Sequence, residues 1–338
     1  MSQIILIPHL KVQNANLQTS GFILGGAPLM AAAMFCHNLA RQLNTQDLGF
    51  ILVHHDRQDI GGTAYGRFTP AQRRGAVFVG KKDYSSKNKY ALSLQPTASC
   101  HLEISLIVDF GRVRQMNRLV NRVQQSRFAG GQIISVGELV PCNSTEQALE
   151  QVRNGFVLQD RKALLQHYQQ QHQLNRVQAL VQLLAHKPDT VLPEFTLAEP
   201  SLPESAQRQF SEPEILEQET LEQELSDSDF FKTDLSKPQP EQKLSWLSAT
   251  TLGYALLEQP TTQRTGVRQA DAIQSTAIQS TATQPTPHAY AEPLIGLIQY
   301  QSLRAVQQVK DSTQLEQLYW RYGWPQSDVF LLQQQTNP

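Results

Sequence analysis

Two hydrophobic periods alternate along the first half of the chain. Ile4 to Val12 reads as a strand, although Pro8 cannot donate to a ladder and so predicts an edge or a bulge. The polar loop Gln13-Asn14-Ala15-Asn16 follows, then Gly25-Gly26-Ala27-Pro28. Next comes a helix to about Leu43. Pro28 suits its first position, where the missing N–H has no partner to lose. Leu29, Met30, Met34, Phe35 and Leu39 make that helix apolar on most sides, which predicts burial. Phe50 to His54 is a second strand. Leu102, Ile104, Leu106 and Val108 alternate with His101, Glu103 and Ser105, the two-residue period of a half-buried third strand. A helix is expected from about Arg112 to Ser126, with Val113, Met116, Leu119, Val120 and Val123 as its core stripe. A strand resumes at Ile133 to Val136 after Arg127-Phe128-Ala129-Gly130-Gly131.

The order strand, helix, strand, strand, helix, strand is that of an α+β, ferredoxin-like or RRM-type domain over residues 1–158. Residues 159–187 carry two helical patterns. Residues 188–242 are rich in Pro, Glu and Ser with little periodicity, and read as an acidic linker or loop. Residues 243–338 are expected to pack on the core as a helical, partly irregular part, interrupted by a polar loop at 259–287 and rich in aromatics near the end.

Charge changes this picture. The formal net charge is -1, but residues 1–187 hold 20 Lys+Arg against 10 Asp+Glu, whereas residues 188–230 hold 12 acidic residues and one basic one. The first half is therefore suited to a polyanion, and the acidic segment would repel one. The basic charge is densest between the second and third strands. Arg57, Arg67, Arg73, Arg74, Lys81, Lys82, Lys87 and Lys89 face only Asp59 and Asp83 there, with five glycines and several aromatics between them. So long an insertion has a functional role more often than a packing one, and this composition suits a phosphate backbone. Arg114, Arg118 and Arg122 recur every four residues with no acidic partner, and predict contact with a phosphate or an acidic protein. Gly130 and Gly131 permit close backbone approach, and Gln13, Asn14 and Asn16 offer hydrogen bonds.

Hydrolytic and metal chemistry find little support. The chain has no GxSxG, HExxH, Walker-type loop or CxxC. Cys36, Cys100 and Cys142 read as small core residues. His54 and His55 are adjacent on a strand, so they point to opposite faces and would not share an ion. No cofactor or metal is expected. No apolar run reaches membrane-spanning length, and a soluble, cytoplasmic protein is the simplest reading.

Leu6-Ile7-Pro8-His9-Leu10-Lys11-Val12-Gln13-Asn14-Ala15-Asn16 resembles the opening of the second Csy subunit family of type I-F CRISPR surveillance complexes (Cascade), in the Cas-five branch of the RAMP proteins. The His37 to Leu43 helix, His101 to Leu106, Arg127 to Gly131, Gly155-Phe156-Val157-Leu158, Arg161 to His167 and Gly253-Tyr254-Ala255-Leu256 continue the resemblance in order. The chain departs from the family after Asn16, where Gly21-Phe22-Ile23-Leu24 replaces a Trp-Gly-Phe-Pro-like stretch.

The resemblance implies a non-catalytic RAMP subunit that caps the 5′ handle of a CRISPR RNA. It also implies docking to backbone subunits and to a large subunit where one exists, with target DNA met indirectly, or directly in a reduced complex. The insertion takes the place of the family's thumb. Gln13, Asn14, Asn16, His54, the basic thumb residues, Arg127, Gly130 and Gly131 become RNA-binding candidates, and Arg114, Arg118 and Arg122 partner or nucleic-acid contacts. Two rivals remain open: an RNA-processing endoribonuclease using His54, His55 and Tyr65, and a backbone subunit polymerising along the guide.

Overall fold

In the computed structural model of the chain, the described residues are 3–21, 23–64, 66–71, 73–74, 94–95, 98–185, 246–262 and 287–334. The acidic segment 188–242, most of the 259–287 loop, and Lys81, Lys82, Lys87 and Lys89 lie outside them.

The elements run β1 (Gln3–Asn16), β2 (Gln18–Ser20), β3 (Ile23–Leu24), α1 (Leu29–Leu43), β4 (Asp47–Ala64), β5 (Arg67–Pro70), β6 (Arg73–Arg74), β7 (Leu94–Gln95), β8 (Ser99–Phe110), α2 (Met116–Gln125), β9 (Arg127–Phe128) and β10 (Gly131–Ser135). They continue with β11 (Val140–Cys142), α3 (Thr145–Gln151), β12 (Phe156–Asp160), α4 (Lys162–His172) and α5 (Arg176–Ala185). After residue 246 come β13 (Leu247–Leu256), β14 (Ala291–Ser302), α6 (Leu303–Gln307), α7 (Ser312–Glu316), β15 (Trp320–Gln326) and β16 (Val329–Gln334). The fold is mixed α+β and rich in sheet.

Four strands of the first half, three long and one short, lie in the order β10-β1-β8-β4, each antiparallel to its neighbours. β1 is a central strand, and Pro8 sits at its bulge. The register with β8 slips between Ile7 and Leu10, His9 takes a φ of 50°, and on the other side β11 gives way to β10 around this point. The missing N–H of Pro8 thus falls where the ladder is already interrupted.

Both faces of this sheet are covered. On one face Ile5, Ile7, Leu10, Phe50, Leu52, Ile104, Leu106 and Val108 pack against α1 and against Leu119 and Val123 of α2. On the other, Leu6, Ile51, Val53 and Ile107 pack against α3, α6 and α7. This explains the unbroken apolar run at Phe50 to Val53: those four residues are fully buried, alternately on either face. All three cysteines are buried, and burial pushes the Cys36 and Cys100 thiols up, Cys100 to about 11.

Two expectations need correction. The second helix starts at Met116, not Arg112, because Gln115 is extended (φ -136°, ψ 91°). Arg114 therefore lies off the helix, and only Arg118 and Arg122 share one helical ridge. The C-terminal part is mainly strand rather than helix. Continuous apolar runs such as Leu294 to Ile298 carry no period that separates a buried strand from a buried helix. The C-terminal strands complete a ring β4-β12-β14-β13-β16-β15, in which β15 pairs with β4 at Phe50 and β12 pairs with it at Val53 and His54. Trp320, fully buried, donates its indole N–H to the Leu158 carbonyl (3.0 Å) inside this arrangement.

Candidate nucleic-acid interface

The candidate residues that sequence separates by more than a hundred positions meet at one end of the sheet. β1 finishes there with Gln13 to Asn16, and Gln13 and Asn14 are exposed. Asn14 adopts a φ of 56°, a conformation Asn tolerates better than most residues. The turn joining β9 to β10 folds directly over this strand end. Ala129 and Gly130 both have positive φ (46° and 76°), and the Asn16 N–H donates to the Ala129 carbonyl (2.8 Å).

Gly131 explains the close approach. A Cβ there would lie 2.6 Å from the Gln13 carbonyl oxygen and 2.7 Å from the Ala15 nitrogen. Gly130 is different: it is exposed and has nothing within 4 Å of an added Cβ. Arg127 is exposed beside it, its guanidinium donating weakly to the Gly130 carbonyl (3.4 Å). The Asn16 side chain is used locally, since its amide donates to the Gln18 carbonyl (2.8 Å) and accepts from the Gln18 N–H (3.1 Å).

The insertion leaves the core from this same end. β4 stays paired with β8 as far as Ile60, opposite Ser99, and Asn16 also pairs with Ser99. Arg57 consequently belongs to the core sheet. It holds Asp59 in a fork, Nε to Oδ1 at 2.9 Å and Nη2 to Oδ2 at 3.2 Å, and packs beneath Gly26, where a Cβ would collide with its guanidinium. Its charge is thus partly committed internally. Beyond Ile60, β4 and β5 form a hairpin, and Arg73 and Arg74 pair with Gln95 and Leu94 to bring the two sides of the insertion together.

His54 is placed elsewhere, beneath the ring of Tyr300 (centroids 5.4 Å apart, 89°). Burial, and then the neighbouring Arg57 and His55, lower its pKa to about 4, so it is neutral at neutral pH and offers phosphate no charge. His55 points to the opposite face. There it belongs to a polar cluster that sequence reasoning missed. The His9 and His55 rings stack at 4.5 Å, His9 Nδ1 meets Glu103 at 2.8 Å, and Lys11 reaches the same carboxylate at 3.5 Å. His55 Nε2 lies 2.7 Å from the buried Ser105 hydroxyl, which also accepts the His9 backbone N–H (2.9 Å). Burial and then His9 lower the pKa of His55. One sequence signal was the shared parity of His101, Glu103 and Ser105. Pro8 signalled an edge or a bulge beside His9, whereas the bulge at His55 had no sequence signal.

Arg118 and Arg122 line the outer side of α2, and Arg114 precedes it near the opposite end of the sheet, where the adjacent Val113 N–H donates to Gln3 (3.2 Å). Among the described residues no group of three or more His, Cys, Asp or Glu is arranged to hold a metal ion, and no helix is long and apolar enough to cross a membrane.

Residues 5–332 match the family model described as CRISPR-associated protein (Cas_Csy2). No curated protein matches the chain.

Proposed function

The chain belongs to the Cas_Csy2 family of CRISPR-associated proteins, subunits of type I-F Csy complexes, and from that premise we propose that it is the non-catalytic subunit that grips and caps the 5′ handle of the guide RNA. The observation that carries this reading is the convergence of Gln13, Asn14, Arg127, Gly130 and Gly131 at the sheet end from which the basic insertion departs. Exposed amides suit base and ribose edges, an exposed glycine with no side chain in the way suits a closely approaching backbone, and arginine suits phosphate. The antiparallel order β10-β1-β8-β4, with a helix in each crossover, supports assigning the first half to the ferredoxin-like fold of the RAMP proteins. The basic insertion then acts as a thumb that folds the handle, and other surfaces dock backbone subunits and a large subunit.

The test is handle binding by the purified complex across a salt series. Reversing charge at Arg73, Arg74, Lys81 and Lys82 removes up to four phosphate contacts. The expected slope of log affinity against log salt is shallower by about 3 for a single strand. Unchanged affinity and slope would remove the thumb from the handle site. Incubation with unprocessed repeat RNA tests the enzyme alternative: specific cleavage that is lost on substitution of His55 would overturn the non-catalytic reading.

A further inference from the structure

The helical layer over the sheet has an unusual charge pattern. The chain has no Asp or Glu before Asp47, and none between Asp109 and Glu138. These two stretches contain α1 and α2, which pack side by side on the same face of the sheet. α1 carries Arg41, α2 carries Arg118 and Arg122, and the extended segment leading into α2 carries Arg112 and Arg114; none of the three carries a carboxylate. None of the five arginines makes an ion pair with a described residue. One carboxylate lies at the foot of this layer: Asp47 is half-buried, lines the same concavity as Arg41, and burial raises its pKa. The opposite helical layer differs: Glu146 and Glu150 of α3, Asp311 and Glu316 lie there. The molecule thus presents one helical layer without carboxylates, with only half-buried Asp47 at its foot, and one mixed layer.

We infer that the α1–α2 surface is a second nucleic-acid site, which holds the phosphate backbone of a strand running past the handle site. Three features favour this ligand over an acidic protein. Every cation in the layer is arginine, the side chain that matches phosphate in two-pronged geometry. The other exposed positions are mainly amides and other neutral polar groups. Met34 is the only large hydrophobe of the two helices that is exposed, so the surface lacks the apolar anchors of a protein interface. Arg118 and Arg122 are one helical step of four residues apart, about 6 Å along the axis, comparable to the step between successive phosphates of an extended strand. The surface also begins where α2 hands over to Arg127, so a strand leaving the handle site reaches it without a gap. The inference rests on the nucleic-acid reading above only for its choice of ligand. The strand is either the guide beyond its handle or the target DNA, and both present the same phosphate chemistry.

The experiment uses the full chain in its complex. The double variants Arg118→Gln/Arg122→Gln and Arg41→Gln/Arg114→Gln change exposed or half-exposed side chains and leave the core untouched. The probes are a single-stranded RNA without handle sequence and a duplex DNA of equal length, each titrated across a salt series. For the probe that uses this surface, the expected slope is shallower by about 2 in the Arg118→Gln/Arg122→Gln protein, with affinity about 10- to 60-fold weaker near 0.1 M salt. Loss on RNA alone identifies the guide, and loss on duplex identifies target DNA. Handle binding stays intact in both doubles and falls in Arg127→Ala, so failure of this inference and failure of the handle reading are told apart. Unchanged slopes on both probes overturn the inference. So does loss of binding to a polyglutamate probe with nucleic-acid binding intact, which would make the surface a protein contact.

Discussion

Acidification is the perturbation to which His54 responds most directly. Its ring lies beneath Tyr300, and Nε2 is buried without a hydrogen-bond partner among the described residues. Its pKa is about 4 in the fold, against 6.5 for the free side chain. As pH falls below 6.5 the unfolded chain takes up a proton that the folded chain refuses, so stability is lost between the unfolded and folded pKa values and is fully present above the unfolded one. From about pH 7.5 to about pH 5 this group alone costs ~2 kcal/mol, and the full loss near pH 4 approaches ~3 kcal/mol. The assay is urea unfolding at both pH values for the native chain and for His54→Phe, which fills the site without a titrating nitrogen. The variant is expected to lose ~2 kcal/mol less between the two pH values. If both proteins respond to pH equally, the ring does not sit in a desolvated site and the placement of His54 is wrong.

Two further outcomes follow from packing. Gly131→Ala pushes a Cβ into the backbone of β1 and should cost about 1–3 kcal/mol and weaken handle binding, whereas Gly130→Ala meets open space, costs about 1–2 kcal/mol of left-handed strain and preserves the strand register. Thermal melting and a handle titration on both variants check this, and equal handle losses would refute the close contact. Trp320→Ala should cost about 3–5 kcal/mol by urea unfolding, and Trp320→Phe clearly less, because the Leu158 carbonyl still accepts from Gln334 (3.1 Å). Equal costs would place the indole outside the core.

The half of the fold with clean periods was legible in the sequence. The apolar helix α1 and the stripe of Leu119 and Val123 each name their element, because one face of each meets one core; β8 shows its alternation through His101 and Glu103 although Ser105 and Ile107 bury its other face as well, so it is more than half-buried. Legibility failed where burial is two-sided or partners are remote. β14 gave no period because both its faces are covered, and the start of α2 was hidden by Val113, which is buried from an extended segment. Gln13 and Gly131 touch through a register that no local pattern encodes. The His9–Glu103–His55 cluster needs two bulges in two different strands to assemble.

The pairing of β4 on both of its edges has a consequence for how the protein is made. A nascent chain that has emerged only through α5 holds β10, β1, β8 and β4, with β12 able to cover β4 at Val53 and His54, yet the part of that edge that β15 takes, at Phe50, is still bare. Few local contacts can substitute for a partner encoded some 270 positions later, so closure carries a high contact order and falls late in folding. Until then the exposed edge is a template for pairing with other chains. Truncations before residue 320 should therefore collect in inclusion bodies rather than yield a smaller working domain, and slow translation or an early-bound guide should improve recovery of the intact protein.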